Sequence, residues 1–134
     1  MKPLVLGFAG AAIVMLALDM LWLSTMAGLL YRPLIGEILL PDFRPVPAFL
    51  FYGLYLCGVV WFAVRPGLAT RSIAAAALNG ALFGLFAYGT YDLTNQATLK
   101  VWSTLITVAD MGWGACLSAA AASAGTWLAL RFGN

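Results

Sequence analysis

Histidine is absent from this chain, and charge is scarce: only 9% of its 134 residues are Asp, Glu, Lys or Arg. Without histidine there is no Ser-His-Asp or Cys-His catalytic site, no imidazole metal ligand and no histidine axial ligand for haem. Seven Lys and Arg against five Asp and Glu leave a net charge of +2, too thin for a nucleic-acid footprint. Cysteine is limited to Cys57 and Cys116, both inside apolar runs, where buried packing is the expectation. Two isolated thiols without histidine make no zinc site, and a structural disulfide between them is not expected. The reading therefore includes no metal and no cofactor. What the chain has in excess is apolar residues, 63% against roughly half in soluble domains. This is the composition of a small integral membrane protein embedded in lipid.

A helical crossing needs about 20 apolar residues. Stretches of that kind run from about Pro3 to Thr25, Val46 to Val64, Ser72 to Tyr91 and Val101 to Leu130. The alternating strands of an eight-stranded barrel are missing. The fold class expected is thus all-α: a single polytopic domain over 1–134, an antiparallel four-transmembrane-helix bundle. Met1–Ala17 has the basic start and apolar middle of a signal peptide. Its apolar run continues past Trp22 without a cleavage site, so it reads as the first span. Pro66 and Gly67 in the Arg65–Arg71 connection join spans two and three as a hairpin. In the first outer loop, Pro33 can open a short interfacial helix through Leu40, with Ile35, Ile38 and Leu39 against the bilayer; an ordinary loop is the equal alternative. Lys2, Arg65, Arg71 and Arg131 fall on one side, and Arg32, Arg44 and Lys100 on the other. The positive-inside rule then puts both termini in the cytoplasm.

The informative residues are those that ought not to lie in a membrane. A charged Asp near the bilayer centre costs about 2.5–3.5 kcal/mol even on the lenient insertion scale. At about 1.5 Å rise per residue, Asp19, Asp92 and Asp110 all fall in the outer half of the bilayer. Helical spacing extends each into a stripe: Met15, Asp19, Trp22 and Met26; Gly80, Gly84, Tyr88, Asp92 and Asn95; Ser103, Thr107, Asp110 and Gly114. Gly80 with Gly84, and Gly114 with Ser118 and Ala122, are small-residue runs that let helix backbones approach. These lie deeper than the acids. The bundle should therefore pack tightly at its inner end and open into a polar pocket at its outer end.

A short internal echo accompanies this pattern. Asp19-Met-Leu-Trp22 in span one matches Asp110-Met-Gly-Trp113 in span four, so Asp with Trp three residues on is presented from two opposed helices. Inverted repeats are frequent in transporters, and shared local packing accounts for four residues equally well. Confined together in an apolar site, three carboxylates cannot all stay charged, which suits a proton- or cation-binding element or a general acid/base pair. Lys100 can reach back to Asp92 as a charge partner. The alternative is that Asp19 and Asp110 only hydrogen-bond Trp indoles, Tyr55, Tyr88 or freed backbone groups and so fix helix register. Among the aromatics, Trp22, Trp102 and Tyr31 have the position of an outer interfacial belt, and Trp61 and Trp127 that of an inner one. Trp113 lies deeper, as core or as cavity wall, and Phe51, Tyr52 and Tyr55 can close a fourth wall.

The run from Tyr88 through Tyr91-Asp-Leu-Thr-Asn95 to Trp102, followed by Asp110-Met-Gly-Trp-Gly114, is distinctive. Together with Asp19–Trp22, Phe51–Tyr55, Phe62–Pro66 and Gly80–Gly84, it resembles the bacterial membrane-protein family known as domain of unknown function 2177. The resemblance covers nearly the whole chain. It implies a multi-pass protein of the bacterial inner membrane with four spans, and it carries over no activity.

Three functions fit these observations. The first is binding or transport of a small molecule or lipid-like ligand in an outward-facing pocket, proton-linked through its acids. Here Asp19, Asp92 and Asp110 are the polar anchors, Tyr88 and Asn95 hydrogen-bonding partners, Trp22, Trp102 and Trp113 apolar walls and Lys100 the counter-charge. Four spans are few for a carrier, so a homodimer is expected under this reading. The second is a membrane enzyme that uses the aspartates as acid and base on a lipid or isoprenoid-like substrate, with catalytic residues otherwise unknown. The third is an accessory subunit whose polar face docks on another membrane protein.

Overall fold

A computed structural model describes residues 1–133. Among the described residues all regular structure is helical. Helix α1 (Lys2–Met26) passes through a π-helical turn (Ala27–Tyr31) into the short α2 (Arg32–Ile35) and a 3-10 turn (Gly36–Ile38). Helix α3 (Pro45–Val59) passes through a second π-helical turn (Val60–Val64) into α4 (Arg65–Ala69). Two long helices complete the chain, α5 (Ile73–Thr98) and α6 (Thr104–Phe132). Four helical rods, Lys2–Ile38, Pro45–Ala69, Ile73–Thr98 and Thr104–Phe132, are long and apolar enough to cross a membrane. Gly133 lies against Pro3, so both termini share one end of the bundle, together with the α4–α5 turn. The opposite end is called distal here.

Local chemistry explains where the rods start and where they deform. Ser72 caps α5 by accepting from the Ala75 amide, and Ser103 caps α6 by accepting from the Leu105 amide. Both π-helical turns end immediately before an Arg-Pro pair, Arg32-Pro33 and Arg65-Pro66. Proline has no N–H and its ring crowds the carbonyl one turn back, which favours a wider local register. The arginine amides follow that register, bonding five residues back to Ala27 and Val60. At the α4–α5 corner, Arg71 takes a left-handed backbone, φ 50°.

Helix α6 is the hub, packing extensively against α5 and α1. The seams are made of small residues. A Cβ on Gly80 would lie 2.5 Å from the Ser118 carbonyl oxygen, and one on Gly84 would run into the Gly114 carbonyl. Towards the termini, Gly7 and Gly125 bring α1 and α6 together in the same way. Around them Ala11, Met15, Val59, Ala63, Val64, Leu117, Ala121 and Ala122 form the buried core. The first half of α3 packs only sparsely on the other helices. Val46, Phe49, Leu50 and Leu54 stand exposed there, as lipid-facing side chains do.

Several expectations are corrected by this packing. Cys57 and Cys116 are exposed on the outside of the bundle instead of buried in it. Their helices are apolar on every face, so periodicity offers no contrast from which to read the buried side. Ile35, expected against the bilayer, is buried with Leu30 and Ile106 in a second small core. Helix α5 runs through Thr98, past the expected end at Tyr91. The threonines of that extension are exposed, and Thr90, Thr94 and Thr98 turn their hydroxyls back onto the carbonyls four residues earlier.

Candidate functional site

The sparse packing of α3 leaves a cavity of about 450 Å³ in the distal half of the bundle. Helix α1 supplies Asp19, Trp22 and Leu23 to it, and the bent continuation of that rod adds Tyr31, Ile35 and Leu39. Phe51, Tyr52 and Tyr55 come from α3, Ala87, Tyr88 and Tyr91 from α5, and Trp102, Asp110 and Trp113 from the start of α6. The exposed members of this lining, Leu23, Leu39, Phe51 and Tyr91, form its rim. Neither lysine nor arginine lines it.

Two aspartates are fixed in the wall by aromatic donors. Asp19, 5% exposed, accepts from the Trp113 indole at 3.1 Å on one oxygen and from the Tyr52 hydroxyl on the other. Asp110, 6% exposed, accepts from the Tyr31 hydroxyl at 2.5 Å, and that hydroxyl in turn accepts from the Trp22 indole at 2.8 Å. Trp22 and Trp113 stack face to face, with ring centroids 4.4 Å apart. The two Asp-x-x-Trp motifs therefore interlock. The tryptophan of α6 bonds the aspartate of α1 directly, and the tryptophan of α1 reaches the aspartate of α6 through Tyr31. Each carboxylate gains the donors that hydrocarbon cannot offer, so the bonds expected of a register-fixing role are present. The space beside them is not explained by that role.

The remaining site residues divide. Tyr88 lines the cavity, packs its ring on Gly114 and meets Tyr55 edge-on, with centroids 6.1 Å apart. Tyr55 also bonds Ser118 at 2.7 Å, tying α3 to α6 below the cavity. Trp102 lines the opposite wall, donates to Thr107 at 3.0 Å and stands edge-on to Tyr91. Asp92, Asn95 and Lys100 lie outside the lining. Asp92 is 0% exposed, has no hydrogen-bond partner of normal geometry on either oxygen, and feels the Asp110 carboxyl nearby. Asn95 is half-buried at the Tyr91 side of α5, and Lys100 is exposed in the α5–α6 connection. That connection is closed instead by Gln96 donating to Thr104 at 2.8 Å.

Of the three aromatics given an outer-belt position, Trp22, Trp102 and Tyr31, all line the cavity, and Tyr31 alone is not also expected as a wall. Tyr31 is the residue that spacing misses. Nine residues beyond Trp22, at about 100° per residue, it belongs on the opposite face of a regular helix. The π-helical turn Ala27–Tyr31 takes out part of that rotation, and the phenol meets the Trp22 indole at 2.8 Å. The only signal in the sequence is Pro33, which marks a deformed helix without giving its direction. Trp61 and Trp127, by contrast, are exposed near the termini end, with the Arg65 guanidinium 3.8 Å above the Trp61 ring.

No curated protein and no solved structure matches this chain. Residues 4–127, however, match the family model described as "Predicted membrane protein (DUF2177)". With its four candidate spans, the chain is a membrane protein and belongs to that family.

Proposed function

We propose that this protein binds or transports a small molecule or lipid-like ligand, held in the distal cavity between α1, α3, α5 and α6. The observation that carries this reading is an aromatic cavity of about 450 Å³ standing directly against two buried, hydrogen-bonded carboxylates. Intramembrane acids are expensive, and pockets of this size with a few fixed polar groups are the usual form of a ligand site. Asp19 and Asp110 are the polar anchors, Trp22, Trp102 and Trp113 the walls, and Tyr88 the floor. Asp92, Asn95 and Lys100 stand behind or beyond that shell. Under the transport reading a homodimer is expected, since four spans are few for a carrier. The orientation follows from Lys2, Arg65, Arg71 and Arg131 lying at the termini end. It puts both termini in the cytoplasm of a bacterial cell and opens the cavity towards the outer side of the inner membrane.

The test is to fill the cavity. Ala87 lines it with the smallest side chain there, and Ala87→Trp puts an indole into the space. Wild-type protein purified in mild detergent is expected to retain a small molecule or lipid, identified by mass spectrometry. The variant, folded by the same circular-dichroism spectrum, should retain at least about tenfold less. Equal retention of the same species by both proteins would overturn the reading.

A further inference from the structure

We propose that the ligand is an organic cation, an amine or quaternary ammonium group carried on an apolar body. This rests on the ligand-binding reading above and names the class of molecule the same cavity takes. The first argument is charge. The ionisable acids in the lining are Asp19 and Asp110, and neither Lys nor Arg lines the space, so an anion would meet acidic groups with nothing to compensate it. The second is the remaining surface. The lining residues Trp22, Trp102, Trp113 and Tyr88 are aromatic, and the mutual stacking of Trp22 and Trp113, 4.4 Å between centroids, leaves each of these two indoles one π-face that the other does not cover. The negative face of an indole attracts a cation, most strongly where water is displaced.

The third argument is preorganisation. Asp19 is held by Trp113 and Tyr52, and Asp110 by Tyr31, so both carboxyl groups are positioned before any ligand arrives and without a protein cation to neutralise them. A wholly neutral guest would cover these acids and leave them uncompensated in a low-dielectric site. A cation held among these aromatic rings, in the cavity that both aspartates line, satisfies both the acids and the π-faces. Leu23, Ile35 and Leu39, also in the lining, offer a surface for its apolar part.

The experiment uses three probes of nearly one shape: trimethyl(phenylbutyl)ammonium, the neutral compound with tert-butyl in place of the ammonium group, and phenylvalerate. Binding to the full-length protein in a maltoside detergent is measured by equilibrium dialysis, with Ala87→Trp as the baseline. The cation is expected to bind at least about tenfold more tightly than the neutral probe, and phenylvalerate most weakly. Asp110→Asn and Asp19→Asn should each reduce the ratio of cation to neutral-probe affinity. If either variant fails to fold, the wild-type order of the three probes decides by itself. Equal binding of cation and neutral probe, tighter binding of phenylvalerate, or no binding above the Ala87→Trp baseline would each overturn the cation assignment. A protein that releases its retained ligand in Ala87→Trp but fails here has a cavity for a different class of molecule. A protein that fails the retention comparison has lost the binding reading itself.

Discussion

The two halves of this bundle are built from the same four rods and opposite side-chain sizes. Towards the termini, Gly7 faces Gly125, Gly80 faces Ser118 and Gly84 faces Gly114, and backbones touch. In the distal half the positions turned inward hold Trp22, Tyr31, Tyr52, Tyr55, Trp102 and Trp113, and a space remains between the helices. Lipid gives apolar side chains no incentive to leave it, so association in the membrane depends on close packing and on internal polar bonds. The small-residue half uses the first and the aromatic half the second. A cavity is therefore compatible with a stable bundle because the seam below it holds the helices in place.

The strongest challenge to that division is a branched side chain in the seam. Gly84→Val would drive a side chain into the Gly114 carbonyl, which cannot retreat without moving α6, and into the Ser118 hydroxyl, which can turn away only by giving up its bond to Tyr55. Overpacking of this kind costs about 3 kcal/mol at the upper end of its usual range. The loss should appear as a large drop in the midpoint of unfolding in mixed detergent. A cost below about 1 kcal/mol would mean that the seam has slack and that the contrast between the halves is overstated.

In the aromatic half the corresponding probe is Tyr31→Phe. One hydroxyl is lost there, but two bonds go with it, since Tyr31 accepts from Trp22 and donates to Asp110. Bonds to carboxylates in poorly hydrated sites are worth more than average, so a loss of about 2 kcal/mol is expected in the same unfolding measurement. Tyr52→Phe removes only the bond to Asp19, which keeps its Trp113 partner, and should cost about 1 kcal/mol. If the two variants prove equal, the relay through Tyr31 does not hold the interlocked motifs together.

How far this was legible in the sequence follows from which rules a side chain obeys. Apolar run length exposes the spans. Four-residue spacing exposes the facing small-residue runs around Gly80 and Gly114, and helical rise brings Asp19 and Asp110 to one level. Tyr31 defied the reading because a π-helical turn breaks the period on which face assignment depends. Cys57 and Cys116 defied it because an all-apolar helix gives no polar face to sight along. Asp92 shares the Gly80–Gly84–Tyr88 stripe as spacing implies, yet the stripe turns against α6 and the carboxyl ends up behind the cavity wall. Period gives the face of a helix, and only packing says which neighbour that face meets.

Asp92 provides the smallest and most discriminating test, because it belongs to neither scheme. It is fully buried like a seam residue and polar like a cavity residue, yet neither of its oxygens has a hydrogen-bond partner of normal geometry. Its neighbour is another acid, Asp110. An amide in the same shape removes one of two adjacent carboxyls and supplies an N–H donor that can reach Asp110. Asp92→Asn should therefore raise stability by about 1 kcal/mol, the net worth of one satisfied bond, against the usual direction for a buried substitution. The same variant should leave the preference for the trimethylammonium probe unchanged, since Asp92 is not in the lining. A loss of stability together with a loss of that preference would give Asp92 a partner in the working site. The acid wall would then extend from Asp110 across to α5, one helical turn distal to Tyr88, and the working half of the bundle would be larger than its present lining.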